Sequence, residues 1–259
     1  MSKKELIKHN LEHIHQEIAR HIDKTNRKAK DVSLMCASKK ASFQDVLYAI
    51  ESGETLFGEN YLQTGLPKIH AIHNHYSSTN DATEERDNNP VQFCFIGHLQ
   101  SNKVGKTIES FQRIDSVDSV SLASFIARKF ENCKETNQSD SLPLHLRKKR
   151  YPILLEVRTA KDPTKFGVFP QILPFIIEPL LSYSSIEIQG FMTMATNTKE
   201  EKEIRRCFSL LRTTRDDMEN KFGSKFPVLS MGMTNDYPYA ILEGSTLLRI
   251  GSAIFGGTL

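Results

Sequence analysis

Eight short apolar runs alternate with helix-like segments along the 259 residues, and this alternation limits the possible folds more than any other feature. The runs at 91–96 and 151–157 are typical, since each is rich in branched or aromatic residues and is followed by a glycine or a polar residue. Strands that alternate with helices form parallel sheets. Because the eight units fill the whole length, we predict an α/β fold: one (β/α)8 TIM-type barrel domain over residues 1–259.

The two ends of the chain differ from those of a regular barrel. Only four residues follow the eighth predicted strand, 247–255, so there is no room for an eighth helix. Residues 4–28 carry aliphatic side chains at spacings of three and four, which predicts an amphipathic helix. We therefore predict that this extra N-terminal helix stands in for the missing last helix.

Composition and charge narrow the class of protein further. The net charge of +3 is too small to indicate a nucleic-acid partner. No run approaches the roughly 18 apolar residues that cross a membrane, and the N-terminus has no secretory signal pattern. The four cysteines are far apart and form no C-x-x-C motif, which fits a reduced, cytoplasmic protein. Two polar stretches, near 77–90 and 134–150, look like surface insertions.

The first predicted strand, Val32–Lys39, ends in a lysine. Alternation along a strand places Met35, Ala37 and Lys39 on one face and Cys36 on the other, where it belongs to the core. Functional groups of such barrels lie at the carboxyl ends of the strands, so Lys39 is a candidate for chemistry. From this stretch alone, a solvated strand end is the better explanation, because lysine is rarely buried.

Strands seven and eight end in turns that are typical of a phosphate site. The segments Ser230–Asn235 and Arg249–Ser252 contain glycines, hydroxyl groups and a predicted helix N-terminus at Asn235. TIM-type barrels often bind phosphate in these two places, although ordinary turns are the alternative. Arg249 shares the predicted interior face with Leu247. A buried arginine needs a partner, which is either a structural ion pair or a ligand acceptor.

Other polar residues leave alternatives open. The H-x-x-H-x-H segment at 70–75 could bind a metal, but a solvated loop fits it better, and we predict no metal site. His98 follows the third strand and either lines the site or orients its loop. Glu59 and Asp118 lie at strand ends, where each is either a base or a hydrogen-bond acceptor.

Several motifs follow one another over nearly the whole chain. They are Ala37-Ser38-Lys39, Phe57–Tyr61, Phe95–Lys103, Ser116–Ser119, Lys165–Gly167, Met192-Thr193, Ser230–Met233 and Arg249–Gly256. Together they resemble the pyridoxal phosphate homeostasis protein family, whose members have the barrel fold of the alanine racemase N-terminal domain. The chain departs from the family pattern at Thr234, where serine is common, and in the two polar insertions.

The resemblance implies a cofactor and its binding residues. Pyridoxal 5′-phosphate (PLP) would be held by Lys39 as an internal aldimine, with Arg249 facing the pyridine nitrogen and Asn60 lining the site. The residues implied around the phosphate are Ser230, Gly232, Met233, Thr234, Gly251 and Ser252. An enclosed, partly apolar pocket would lower the pKa of the lysine, as a Schiff base requires. The permanent charge of arginine would keep the pyridine nitrogen neutral and weaken the ring as an electron sink.

Two functions are compatible with these residues. The first is a PLP-binding protein that contributes to intracellular PLP homeostasis, with little or no turnover and with apo PLP-enzymes as transient partners of a monomer. The alternative is a PLP-dependent amino-acid racemase, which needs acid–base groups on both faces of the substrate Cα. We find no tyrosine for the second face and assign no catalytic residue, which favours the first function. A cofactor-free barrel enzyme acting on a phosphorylated sugar does not explain Lys39 together with Arg249.

Overall fold

The computed structural model describes residues 1–79, 91–136, 143–162 and 164–256, and within them eight parallel strands close into a barrel. The strands are β1 Ser33–Ala37, β2 Leu56–Glu59, β3 Gln92–Phe95, β4 Arg113–Val117, β5 Tyr151–Glu156, β6 Ile186–Met192, β7 Val228–Ser230 and β8 Leu247–Ile250. Each strand pairs with the next along the chain, and β8 pairs with β1 to close the ring. The predicted (β/α)8 barrel is confirmed.

Helices lie before the first strand, between successive strands and after the last strand. They are α1 Lys3–Ile22, α2 Phe43–Glu51, α3 Leu62–Thr79, α4 Val104–Ser110, α5 Val120–Thr136, α6 Leu173–Leu180, α7 Glu201–Phe222, α8 Tyr237–Leu242 and α9 Ser252–Phe255. Ser42 and Asp45 form a capping box at the start of α2, with bonds of 3.1 and 3.0 Å. Gly223 ends α7 in the left-handed region, at φ 62°. Residues Ser101–Lys103 form a 3₁₀ turn ahead of α4.

Strand side chains alternate between the barrel interior and the layer beneath the helices. Met35, Cys94 and Leu247 form a small buried cluster on the interior side. The opposite faces carry Cys36 and Phe57 into the larger core that the strands share with the helices, so the assignment of Cys36 to the core is confirmed. Polar side chains also lie inside the barrel: Arg249, in register with Met35, is 4% exposed, and Asp115 on β4 is fully buried and pairs with Arg113.

The N-terminal helix covers the gap left by the short last unit, as predicted. Helix α1 packs against α2, α8 and α9, and Asn10 Nδ2 donates to Ile254 O at 3.0 Å. The prediction of a strand over 247–255 is wrong beyond Ile250. Gly251 leaves the extended conformation, with φ −128° and ψ −64°, and residues 252–255 form the one-turn helix α9.

The two polar stretches are partly helical where the structure describes them. Helix α3 continues to Thr79 and α5 to Thr136, while residues 80–90 and 137–142 lie outside the described residues. The 70–75 histidine segment therefore belongs to α3 and not to a loop. The described part of the chain contains no His, Cys, Asp or Glu cluster arranged to hold a metal. It also contains no helix with the length and apolar character needed to cross a membrane.

Candidate functional site

The carboxyl ends of β7, β8, β1 and β2 are neighbours in the closed barrel, and most of the predicted site residues lie there. The turn after β8 touches the end of β1 closely. A Cβ atom on Gly251 would lie 2.6 Å from the carbonyl oxygen of Ala37, so only glycine permits this approach. The turn that carries Ser252 is thereby placed beside the segment that carries Lys39.

Lys39 follows β1 in a turn, and its side chain is exposed. Strand β1 ends at Ala37, so alternation along the strand does not set the direction of Lys39. The expectation of an enclosed pocket around this amine is wrong, because a turn closed by a 2.9 Å bond from Ala41 N to Ser38 O carries Lys39 out of the strand. Its Nζ is accessible to a ligand that arrives from solvent.

The two turns predicted to bind an anion are joined by their hydroxyl groups. Ser252 Oγ donates to Thr234 Oγ1 at 2.9 Å. Gly232 between β7 and α8 has φ +99°, and a Cβ there would lie 2.7 Å from the Cβ of Ala240. The backbone N–H of Met233 already donates to Asp236 Oδ1 at 2.5 Å, so it is engaged within the turn.

Arg249 is buried on the interior face of β8, as predicted from the sequence, with 4% of its surface exposed. Its guanidinium donates to Ser230 Oγ at 2.6 Å and to Thr193 O at 2.8 Å. Among the described residues no carboxylate forms an ion pair with it, although the negative charges of Asp115 and Glu156 partly oppose the lowering of its pKa by burial. Two neutral acceptors therefore hold a buried charged group.

Ser230 bonds to Arg249, whereas the resemblance implies that Ser230 lies around the phosphate. It is fully buried, and its Oγ accepts from Arg249. The hydroxyl groups of the two turns that do not bond to Arg249 are those of Thr234 and Ser252. Thr193 was part of a recognised motif, but its role as the carbonyl acceptor for Arg249 depends on contact between β8 and the end of β6, which the sequence does not reveal.

Asn60 follows β2 and carries a buried acceptor without a partner. Within the described residues, its Oδ1 makes no hydrogen bond. Its backbone is packed against Gly97, where any side chain would collide with the Asn60 carbonyl group. An unsatisfied buried acceptor costs about 1–3 kcal/mol. A ligand with a hydroxyl or N–H donor would satisfy it, so the residue fits a polar ring such as that of PLP.

Glu156 is a polar site residue that the sequence analysis missed. It is the last residue of β5, and 3% of its surface is exposed. Its side chain lies on the same face of the strand as those of Pro152 and Leu154, whereas Leu155 lies on the other face and belongs to the larger core. Burial raises the pKa of its carboxyl group to about 7, and the charge of Arg249 works against this rise. The sequence did contain a signal for this residue, because Glu156 occupies an interior position of the apolar run 151–157.

Replacing Glu156 by glutamine is expected to change the pH dependence of stability. The raised pKa of Glu156, from 4.5 to about 7, means that the folded state holds the proton more tightly. This contribution to stability is complete below pH 4.5 and is lost as the pH rises through 7. In urea unfolding, the free energy of unfolding of Glu156→Gln should therefore rise by about 3 kcal/mol relative to that of wild type between pH 4.5 and pH 8.

A matched control is Glu178→Gln, because Glu178 is exposed on α6. Its free energy of unfolding should follow that of wild type at every pH. A pH-independent difference for Glu156→Gln would contradict the assigned pKa.

Glu59 proves to be a hydrogen-bond acceptor, one of the two predicted alternatives. Its Oε1 accepts from Ser38 Oγ at 2.6 Å and from Lys68 Nζ at 2.7 Å. Lys68 is buried on α3 and was also missed, since a charged residue within a helix usually faces solvent.

His98 lies at the rim of the site, where both predicted roles are still open. Its ring stacks on Phe166 with centroids 4.1 Å apart, and its Nδ1 lies 3.9 Å from Asp118 Oδ2. Both rings are partly exposed. Phe166 belongs to the connection between β5 and α6, so this stack links the ends of β3 and β5.

The fold and the site define a parallel eight-stranded barrel with an exposed lysine, two hydroxyl-bearing turns and a buried arginine at its carboxyl end. A family model described as "Alanine racemase, N-terminal domain" matches residues 7–259. A pyridoxal phosphate homeostasis protein from Vibrio alginolyticus is 30% identical over 250 residues, which cover 96% of this chain and 97% of that protein. The chain therefore belongs to the alanine racemase N-terminal-domain family and, within it, to the pyridoxal phosphate homeostasis proteins.

Solved structures agree with this assignment. A protein of unknown function from Bifidobacterium adolescentis is 31% identical and superposes with a TM-score of 0.83, covering 98% of this chain and 96% of its own. PipY from Synechococcus elongatus PCC7942, solved with PLP bound, is 26% identical with a TM-score of 0.73, covering 92% of this chain and 100% of its own. The resemblance inferred from the sequence motifs is confirmed.

Proposed function

We propose that this protein binds PLP at the carboxyl end of the barrel and contributes to PLP homeostasis. The observation that carries the proposal is the close approach of Gly251, which precedes Ser252, to Ala37, which lies two residues before Lys39. Ser252 is bonded to Thr234, and Arg249 is buried on the same strand end as Gly251. The name of the Vibrio relative and the PLP held by PipY support it.

Different residues would bind different parts of PLP. When bound, PLP supplies an aldehyde that condenses with a primary amine and releases water. Lys39 Nζ would provide that amine. Thr234, Ser252 and the backbone around Gly232 and Gly251 would hold the phosphate. Asn60 Oδ1 would accept from the ring.

Arg249 would set the electronic state of the cofactor. Its guanidinium is always charged, and two protein acceptors hold it in place. A fixed positive charge near the pyridine nitrogen disfavours protonation there. A neutral ring withdraws electrons weakly, so the site is better suited to holding the cofactor than to removing a proton from a bound amino acid.

The arrangement of tyrosines also favours holding over racemisation. Tyr61 precedes α3 and is 62% exposed, whereas Tyr237 is buried in α8. Neither is tied to Lys39 by a described contact. We therefore propose little or no turnover, and further that the protein acts as a cytoplasmic monomer and transfers PLP to apo-enzymes.

The test is reconstitution with PLP followed by removal of free ligand. We expect a visible absorbance band, loss of that band with borohydride, and a mass increase confined to the peptide that contains Lys39. A colourless protein with no trapped mass would refute PLP binding. Rapid exchange of the Cα proton of alanine in heavy water would instead establish the racemase. Light scattering decides whether the holo-protein is a monomer.

A further inference from the structure

A buried ion pair lies directly beneath the turn that carries Lys39. Glu59 at the end of β2 is fully buried, and Lys68 on α3 is 8% exposed. Their Oε1 and Nζ atoms are 2.7 Å apart. Both groups also bond to Ser38, the residue that precedes Lys39. The pair therefore touches the chain next to the reactive position without being part of the surface that a ligand reaches.

Every polar group of Ser38 is held. Its hydroxyl donates to Glu59 Oε1 at 2.6 Å, and its carbonyl oxygen accepts from Lys68 Nζ at 2.7 Å. Its backbone N–H donates to Gly58 O at 2.9 Å. Ser38 is itself fully buried. Lys39 thus extends from a residue whose orientation is fixed on every side, although its own side chain is exposed.

Stability alone is a poor explanation for this arrangement. Removing two charges from water costs several kcal/mol for each ion, and apolar replacements of buried ion pairs are often as stable or more stable. Helix α3 is already anchored to the core by Ile69 and Ile72, both fully buried. The helix does not need a buried lysine to be held in place.

Lys68 is also unsuited to be a second reactive amine. Its Nζ is buried and donates to two strong acceptors, Glu59 Oε1 and Ser38 O. Lys39 is accessible and has no such partners among the described residues. The structure therefore separates the two lysines into an accessible amine and a buried support.

We propose that Ser38, Glu59 and Lys68 are positioning residues, which hold the Lys39 turn so that its amine meets the aldehyde of PLP. The inference rests on the proposed function, since it assumes that Lys39 bonds to the cofactor. It predicts a specific separation of effects. Loss of the ion pair should weaken the step that needs the amine and leave the contacts to phosphate and ring unchanged.

The experiment compares two ligands on apo-protein. PLP has the aldehyde, whereas pyridoxine 5′-phosphate has the same phosphate and ring with an alcohol that does not condense with an amine. Titration of Lys68→Met should show at least tenfold weaker binding of PLP and slower appearance of the visible band. The affinity for pyridoxine 5′-phosphate should stay within about twofold of wild type. Lys106→Met, at an exposed position of α4, is the matched control and should bind both ligands with the affinity of wild type.

Each outcome decides the matter. If both ligands bind more weakly by the same factor, the substitution disrupts the whole site. If both bind as they do to wild type, the three residues only support the fold. Either result overturns the inference. If Lys68→Met fails to fold, Ser38→Ala removes one bond of the cluster and is judged by the same two titrations. Wild type separates this inference from the proposed function. If wild type itself binds neither ligand and traps no mass at Lys39, then the proposed function fails; if it binds both alike and traps no mass, only this inference fails.

Discussion

Lys39→Ala is expected to remove the visible absorbance of the PLP-loaded protein completely, with no borohydride-trapped mass left on the chain. The reason is chemical: alanine has no amine to condense with the aldehyde. Non-covalent contacts through Thr234, Ser252 and Arg249 should remain, so the variant should still bind pyridoxine 5′-phosphate with about the affinity of wild type. Absorbance spectra and peptide mass mapping measure the first effect, and calorimetric titration measures the second.

Lys40→Ala is the matched control for this variant. Lys40 lies in the same turn and is also exposed, but it is one residue further from β1. It should retain the visible band and the mass on the Lys39 peptide. A band that persists in Lys39→Ala and disappears in Lys40→Ala would assign the amine to the neighbouring lysine.

Arg249→Leu is expected to have the second largest effect, on stability as well as binding. The change leaves Ser230 Oγ and Thr193 O without the guanidinium that now donates to them. Each buried group that loses its partner costs about 1–3 kcal/mol, so we expect a total loss near 4 kcal/mol in urea unfolding. The variant should also bind pyridoxine 5′-phosphate more weakly, because the ring loses its charged neighbour.

The same variant has a consequence at Glu156. The charge of Arg249 holds down the pKa of that carboxyl group, which burial raises to about 7. Without the arginine, the pKa of Glu156 should rise further. The fall in stability that begins near pH 4.5 should therefore continue to a higher pH and become larger than in wild type. Arg249→Lys keeps the charge without the planar fork and should restore the pH profile more fully than the stability. A pH profile for Arg249→Leu identical to that of wild type would contradict this coupling.

Much of the barrel and part of the site were predictable because their signals are local. Apolar runs separated by helical periodicity predicted the eight strands, and their count predicted closure. The position of Arg249 in register with Leu247 predicted its burial inside the barrel. The glycines at 232 and 251 predicted close turns, since a side chain at either position would collide with a neighbouring segment.

Other features were not predictable because they depend on contacts between distant segments. The outward turn of Lys39 depends on how residues 38–41 close after β1, and the burial of Lys68 depends on where α3 meets the ends of β1 and β2. The raised pKa of Glu156 depends on its distance from solvent and from Arg249. None of these leaves a periodic or compositional trace in the chain.

By itself, the sequence determined the alternation of strands and helices, the hydroxyl- and glycine-bearing turns after the last two strands, and the arginine within an apolar strand. These follow from side-chain pattern and backbone preference, which act over a few residues. Only the tertiary structure decided that Lys39 is exposed, that Ser230 supports Arg249, and that a buried ion pair holds the turn below the lysine. Such pairings arise when the barrel closes and brings strand ends together, and their energies depend on burial that no short segment has alone.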